Sequence, residues 1–427
     1  MSYQVIVTLI ILAFMVVMLL THKLPYGLTG IICCTLFVLF GIADIETAFS
    51  GFSSSTAIMV MAMIVVATQL SRTSVVHKLK HSMEKLQGKS EFVIVLAMLV
   101  ITALLSQFMG QVACISIMLL FCQTLDENSN LSPSRMLFAV CCVNTIWTSK
   151  IPIAMGATMP GTINAFFEGV APEYAIGIGD YFKAAAIPAI LGLLYCLFFN
   201  KLIPNSKMKK TEVKAGNQEE DILPRNKQIV VYAVFVIIMA AFFLANFIPK
   251  PIQNIIPLAG VLVFILTGVV DIPTVIHAIT GDIIFLIAGM SAISTILGQT
   301  GVGELIGQGV LKLLGGNPAP IFVVTVFTVV TAVMTNFLSN MGTMALMIPI
   351  AASTALAGGF NVQTVVLVTA VSSWMAFVFP TGCSGSMIAF GTGNYDAKDT
   401  FKFTIPLFLL EIVSLIISTT LLFPIYG

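Results

Sequence analysis

The sequence predicts an all-α polytopic membrane protein, an inverted repeat of two five-helix halves, each with one re-entrant hairpin and one broken helix. Three observations lead there. Of 427 residues, 58% are apolar and 9% charged, whereas a soluble chain is about a quarter charged. The apolar residues fall in successive runs long enough to cross a bilayer, about 17–25 residues each. The two halves of the chain also align on one another. A soluble enzyme and a single-anchor protein are excluded. With 20 Lys and Arg against 19 Asp and Glu there is no basic field for nucleic acid, so no DNA or RNA partner is expected.

In chain order, run 4–20 lacks a positive leading segment and a small-residue cleavage site, so it is expected to stay as a spanning helix. Runs 26–43 and 55–71 follow as crossings. Stretch 91–124 is too long for one crossing and is broken mid-way by small or amide residues, which suits a re-entrant helical hairpin. Run 133–168 is interrupted around Pro152, and 181–203 completes the first half. The polar segment 205–227 reads as a linker. Beyond it come 228–246, 254–270, 281–298, a second hairpin at 319–357, the interrupted run 362–392, and 402–424. The expected units are residues 1–204 (first repeat), 205–227 (cytoplasmic linker) and 228–427 (second, inverted repeat), with ten crossings in all.

The duplication is explicit. A shift of 227 residues aligns 41–88 with 268–315 without a gap, with 12 of 48 pairs identical, among them Gly41/Gly268, Asp44/Asp271 and Thr73/Thr300. TALLSQFMGQ (102–111) faces TAVMTNFLSN (331–340), Trp147 faces Trp374, and Asp180 with Pro188 answers Asp399 with Pro406. An odd number of crossings per half inserts the second half upside down. With the linker in the cytoplasm, 16 of 20 Lys and Arg lie inside, three outside (Lys183, Lys250, Lys312), and Lys150 within the membrane, as the positive-inside rule requires. Both termini are then external.

Helix breaks at matched positions of such repeats expose backbone N–H groups to anions and C=O groups to cations. One matched pair is the hairpin tips, Ser106 to Gln111 and Thr335 to Thr343. The other is Pro152 to Thr158 and Pro380 to Ser386, where Pro removes a donor and Gly loosens the helix. One such stretch alone would be ordinary small-residue packing; four at repeat-related positions point to a site. The expected substrate contacts are Gln111, Ser149, Lys150, Thr158, Ser339, Asn340, Thr343, Thr381, Gly382, Ser384 and Ser386. Lys150 sits two residues before the intramembrane Pro152, where a cation is costly unless it faces protein or an aqueous cavity. It would be a counter-charge to an anionic substrate, or a fixed cation where a relative binds sodium. Glu411, the acidic residue deep in an apolar span, would either carry a coupling proton or bond a neighbouring helix. Asp282 reads as a helix-end residue. The eight cysteines read as small core residues, and His22, His77, His81 and His277 fall at loops or helix ends, so no metal cluster or catalytic residue is expected.

At these residues the sequence resembles the ion transporter superfamily, and within it the divalent anion:sodium symporter family of dicarboxylate, citrate and sulfate carriers. TNFLSNMGTMALMIPIA (335–351) is similar to that family's second Ser-Asn-Thr hairpin, and FPTGCSGSMIAFGTGNY (379–395) to its Pro-x-Gly-Thr-x-x-Asn segment. The resemblance spans essentially the whole chain. It implies a homodimer in the plasma membrane working by elevator-type alternating access, with substrate and sodium sites at the tips and breaks. Gly110-Gln111-Val112 stands where the family has Ser-Asn-Thr, Met341 replaces a Thr, Trp147 to Pro152 replaces Gly-Gly-Thr-x-Thr-Pro, and Cys383 and Ser386 replace Thr and Asn. Both cation sites have thereby lost side-chain oxygens, leaving at most a weak sodium site at Ser339, Asn340, Gly382 and Cys383. Lys150 would then supply the positive charge that sodium provides in relatives. The expected function is secondary transport of a small organic anion, most simply a di- or tricarboxylate, by a sodium-independent exchanger or proton-coupled carrier; no cofactor is implied beyond a coupling sodium or proton.

Other readings fit less well. A sodium-coupled carboxylate or sulfate symporter stays open. A sodium/proton antiporter would need carboxylates at the breaks, and a channel would need a charged ring or filter repeat. Gly382-Cys383-Ser384-Gly385 matches the G-x-S-G of rhomboid proteases, but no histidine lies deep enough to serve as base.

Overall fold

The computed structural model describes residues 2–21, 23–74, 78, 90–123, 132–208, 222–244 and 247–426. His22, His77, His81, most of the basic cluster before Lys89 and linker residues 209–221 lie outside them. The described residues are α-helical, with short 3-10 turns and a single β-bridge. The helices are α1 (Tyr3–Thr21), α2 (Tyr26–Leu39), α3 (Ile45–Ala48), α4 (Ser55–Ser71), α5 (Glu91–Leu105), α6 (Gln111–Gln123), α7 (Pro133–Trp147), α8 (Met159–Phe167) and α9 (Ile178–Phe199). After the linker come α10 (Arg225–Phe243), α11 (Lys250–Leu266), α12 (Ile272–Ile279), α13 (Asp282–Gln299), α14 (Val302–Leu313), α15 (Pro320–Met334), α16 (Asn340–Gly358), α17 (Val362–Ser372), α18 (Ser384–Gly393) and α19 (Ala397–Leu422).

Among the described residues six helices, α1, α9, α10, α13, α16 and α19, are long and apolar enough to cross a membrane. Two differ from the expected pattern. Run 26–43 yields a helix of 14 residues, about 21 Å at 1.5 Å per residue, because the chain turns at Gly41, whose φ of +66° a side chain resists. Conversely α16, expected as a hairpin arm, has 19 residues and spans a bilayer by length. Its internal Pro349 does not end it; Gly359, in the left-handed region, does.

The halves interleave. α2 packs along α13, α4 against α11, α9 against α19, α6 against α18 and α8 against α16, each pair joining one half to the other. α2 and α13 cross so closely that a Cβ on Gly30 would meet Gly289 Cα at 3.4 Å, the close approach that small residues permit between apolar helices. Asp282 opens α13 but turns to α2, accepting from the Tyr26 and Gly27 N–H groups (3.2 and 2.9 Å) and so satisfying that helix's first donors.

The duplicated positions adopt matching local structures. Gly41 and Gly268 have φ of +66° and +65°. Asp44 caps α3 through the Thr47 N–H and Asp271 caps α12 through the Thr274 N–H (2.7 and 3.2 Å), and these bonds hold both carboxyls below their ordinary range. Asp180 and Asp399 each accept from the backbone N–H three residues earlier, at 2.9 Å, where α9 and α19 begin, and each of those helices carries an internal proline, Pro188 and Pro406.

Candidate functional site

The interruptions lie where the sequence places them: α5 and α6 are parted by residues 106–110, α7 and α8 by 148–158, α15 and α16 by 335–339, and α17 and α18 by 373–383. A buried amide stitches each hairpin turn to the break of the same half. Gln107 Nε2 donates to the Ala103 and Trp147 carbonyls (both 2.7 Å), while the Ile151 N–H donates to Gln107 Oε1 (3.0 Å). Asn336 repeats this: Nδ2 donates to the Ala332 and Met375 carbonyls (2.8 and 3.0 Å), and Oδ1 accepts from the Val378 N–H (3.0 Å). Both amides are buried. They supply the polar partners that unwound backbone needs away from water. Neither is among the expected contacts, although their place within the polar tips was a signal available in the sequence.

The first break is folded hard on itself. Ser149 and Ala154 have positive φ values of +55° and +48°, and a Cβ on Gly156 would lie 1.8 Å from the Ile151 carbonyl oxygen. Only glycine fits there. Ser149 N–H reaches the Ser106 carbonyl (3.5 Å), and Met155 N–H donates to the Gln107 carbonyl (3.0 Å). Thr158 is attached to the same loop through the Met155 carbonyl (2.7 Å).

Across the halves, the first turns of α6 and α18 meet. A Cβ on Gly385 would lie 3.8 Å from Gln111 Cβ and 3.6 Å from Asn144 Nδ2. Gln111 Nε2 and Asn144 Oδ1 are buried without hydrogen-bond partners among the described residues. Cys383 Sγ accepts from the Ser386 N–H (3.3 Å) and lies 3.6 Å from Thr145 Oγ1, and Ser386 Oγ donates to the Ala376 carbonyl (2.8 Å). Ser384 and Thr381 are exposed, and Thr381 Oγ1 donates to the Asn336 carbonyl (2.8 Å). At the second tip, Thr335 Oγ1 donates to Asn340 Oδ1 (3.0 Å), Ser339 Oγ caps α16 through the Gly342 N–H (3.0 Å), and Thr343 Oγ1 is buried without a hydrogen-bond partner among the described residues.

The structure thus brings Gln111, Ser384 and Ser386 into one neighbourhood, with Asn144 as a member the sequence reading did not select, and joins Asn340 and Thr381 in another. The four residues expected to hold sodium divide: Cys383 turns to Ser386 and Thr145, Ser339 to Gly342 and Tyr26, Asn340 to Thr335, and Gly382 packs under Ala376. Lys150 joins neither group. Its ammonium donates to the Tyr181 hydroxyl (2.7 Å) and lies over the Tyr181 and Trp374 rings, 4.9 and 5.2 Å from their centroids.

Apolar helices interrupted at amide-clamped breaks define a multi-pass membrane transport protein, and relatives of the chain narrow the class. A family model described as citrate transporter matches residues 16–425, and the chain belongs to that family. It is 21% identical over 97% of its length to an uncharacterised transporter of Haemophilus influenzae, covering 90% of that protein. It is also 21% identical, over 89% of its length and 76% of the other's, to sodium-dependent high-affinity dicarboxylate transporter 3 of Caenorhabditis elegans. Among solved structures its fold is similar to MtrF of Neisseria gonorrhoeae (TM-score 0.60, 13% identity, 92% of this chain and 85% of that one), described as illuminating a class of antimetabolite efflux pumps. The YdaH transporter of Alcanivorax borkumensis is similar too (TM-score 0.58, 12% identity, 91% and 87% covered). The resemblance read from residues 335–351 and 379–395 therefore holds, and the protein is a transporter and not an enzyme.

Proposed function

We propose that this transporter carries a small organic anion, a di- or tricarboxylate, by elevator-type alternating access, as a homodimer in the plasma membrane, without sodium, either in exchange for another anion or together with protons. Its two halves insert as inverted repeats. The observation that carries the reading is the meeting of the α6 and α18 first turns at Gln111, Asn144 and Gly385. Two helix N-termini direct partial positive charge and free N–H groups at one spot, and the unpartnered Gln111 amide adds a side-chain donor. That chemistry suits a carboxylate, and the family and its dicarboxylate relatives support it. Independence from sodium rests on the divided candidate sodium ligands and on the Lys150 amine at the first break, which brings a positive charge there when protonated.

A sodium-coupled symporter is the second reading, favoured by relatives named sodium-dependent dicarboxylate transporters. The test is uptake of radiolabelled succinate and citrate into proteoliposomes, with and without an inward sodium gradient and with and without internal unlabelled dicarboxylate. Uptake indifferent to sodium is expected. Sodium-driven uptake would establish the symporter, and no uptake of either anion would refute the carboxylate assignment.

A further inference from the structure

Behind the two breaks lies a polar cluster that the substrate site does not use. Glu411 of α19 is buried, and its Oε1 has no hydrogen-bond partner among the described residues. A Cβ on Gly192 of α9 would come within 2.1 Å of that oxygen, so a glycine makes the room the carboxyl occupies. A cavity of about 10 Å3 is lined by Glu411, Lys150, Trp374 and apolar residues of α7, α9 and α17, room for roughly one water. Lys150 and Glu411 face the same cavity without forming an ion pair; the one ion pair within 4.0 Å among the described residues is Lys183–Asp180. The other ionisable groups on the helices packed around it are the Tyr181 phenol of α9, which accepts from Lys150, and the buried thiols of Cys196 on α9 and Cys141 and Cys142 on α7. α15 and α17 contribute none.

The location ties this cluster to both tips. Lys150 stands between Ser149 and Ile151, whose N–H groups reach the first hairpin. Trp374, under the Lys150 ammonium, stands between Ser373 and Met375, whose carbonyls accept from Thr335 and Asn336 of the second hairpin. The Lys150–Trp374 contact therefore joins the two breaks back to back.

We infer that Lys150 and Glu411 form an intramembrane proton site that loads one proton with each carried anion. With one proton shared between amine and carboxyl the pair is neutral. A second proton, delivered by water through the cavity, forms an O–H bond on Glu411, leaves Lys150 cationic and gives the cluster a net charge of +1. That charge offsets the anion while the site is shielded from water, where an uncompensated charge is costly. Deprotonation of Glu411 to water on the other side resets the pair.

The inference rests on the carrier reading, and one experiment separates them. Proteoliposomes take up whichever of labelled succinate and citrate the uptake test selects, with a trapped pH dye, under an inward proton gradient and under equal pH with internal substrate. Wild type is expected to show at least a tenfold acceleration by the gradient, with substrate-dependent internal acidification. Glu411→Gln should abolish both while exchange of labelled for unlabelled anion continues, and Glu411→Asp should restore acidification in part. Acidification persisting in Glu411→Gln, or exchange in wild type that no proton gradient accelerates, overturns the proton site and leaves the carrier standing. Absence of exchange in wild type overturns the carrier reading itself. If Glu411→Gln loses its cooperative melt in detergent, Gly192→Ala, which displaces the carboxyl, decides: it should shift the pH optimum of uptake, and an unchanged optimum refutes the site.

Discussion

At the scale of single residues, Gln107 and Asn336 matter most for holding the candidate site together. Each amide satisfies backbone groups on two segments, and its loss leaves buried donors and acceptors bare, at about 1–3 kcal/mol apiece. Gln107→Ala and Asn336→Ala should each lower the melting temperature in detergent and reduce transport at least tenfold; an unchanged melt in both would mean that the clamps are incidental. The tips were visible in the sequence as polar residues too dense for an apolar run. Which amide does the clamping was not, because Gln107 and its Ile151 partner are 44 positions apart. The direction of Lys150 was likewise hidden. Its spacing from Pro152 placed it in the break, but packing turned its ammonium toward Tyr181, 31 residues on.

At the scale of elements, the first turns of α6 and α18 are the proposed anion-facing part of the candidate site. Gln111→Glu puts a negative charge where two helix N-termini converge and exchanges a donor for an acceptor. We expect it to raise KM for the anion at least tenfold, with Gln111→Asn affected less; equal KM values for Gln111→Glu and wild type in initial-rate uptake would remove Gln111 from the site. Helix limits followed the sequence at the matched breaks, where Pro152 lies between α7 and α8 and Pro380 between α17 and α18. They departed from it where hydropathy alone was the guide, since an apolar run does not reveal whether its helix stops early, as α2 does, or continues for 19 residues, as α16 does.

For the molecule as a whole, the proposed inversion sets the sidedness of equivalent positions. Ile45 and Ile272 are related by the 227-residue shift and are both exposed, yet an inverted repeat puts Ile45 outside and Ile272 in the cytoplasm. A membrane-impermeant maleimide should label Ile45→Cys in intact cells and Ile272→Cys only after lysis. Labelling of both in intact cells would refute the inversion. The interleaving of the halves through α2 with α13 and α9 with α19 means that neither half buries its own apolar faces alone.

By itself the sequence determined the all-helical membrane class, the duplication, the places where helices break, and the family. Composition, periodicity and the backbone limits of proline and glycine are local properties that a linear chain records. Only the tertiary structure decided that Asp282 caps α2 instead of its own helix, that Gly156 is required by a carbonyl folded over it, and that Lys150 and Glu411 line one cavity. Those facts depend on which side chains meet across the bundle. Such meetings are settled by packing between elements distant in sequence, where a buried polar group takes whatever partner the neighbouring helix brings within reach.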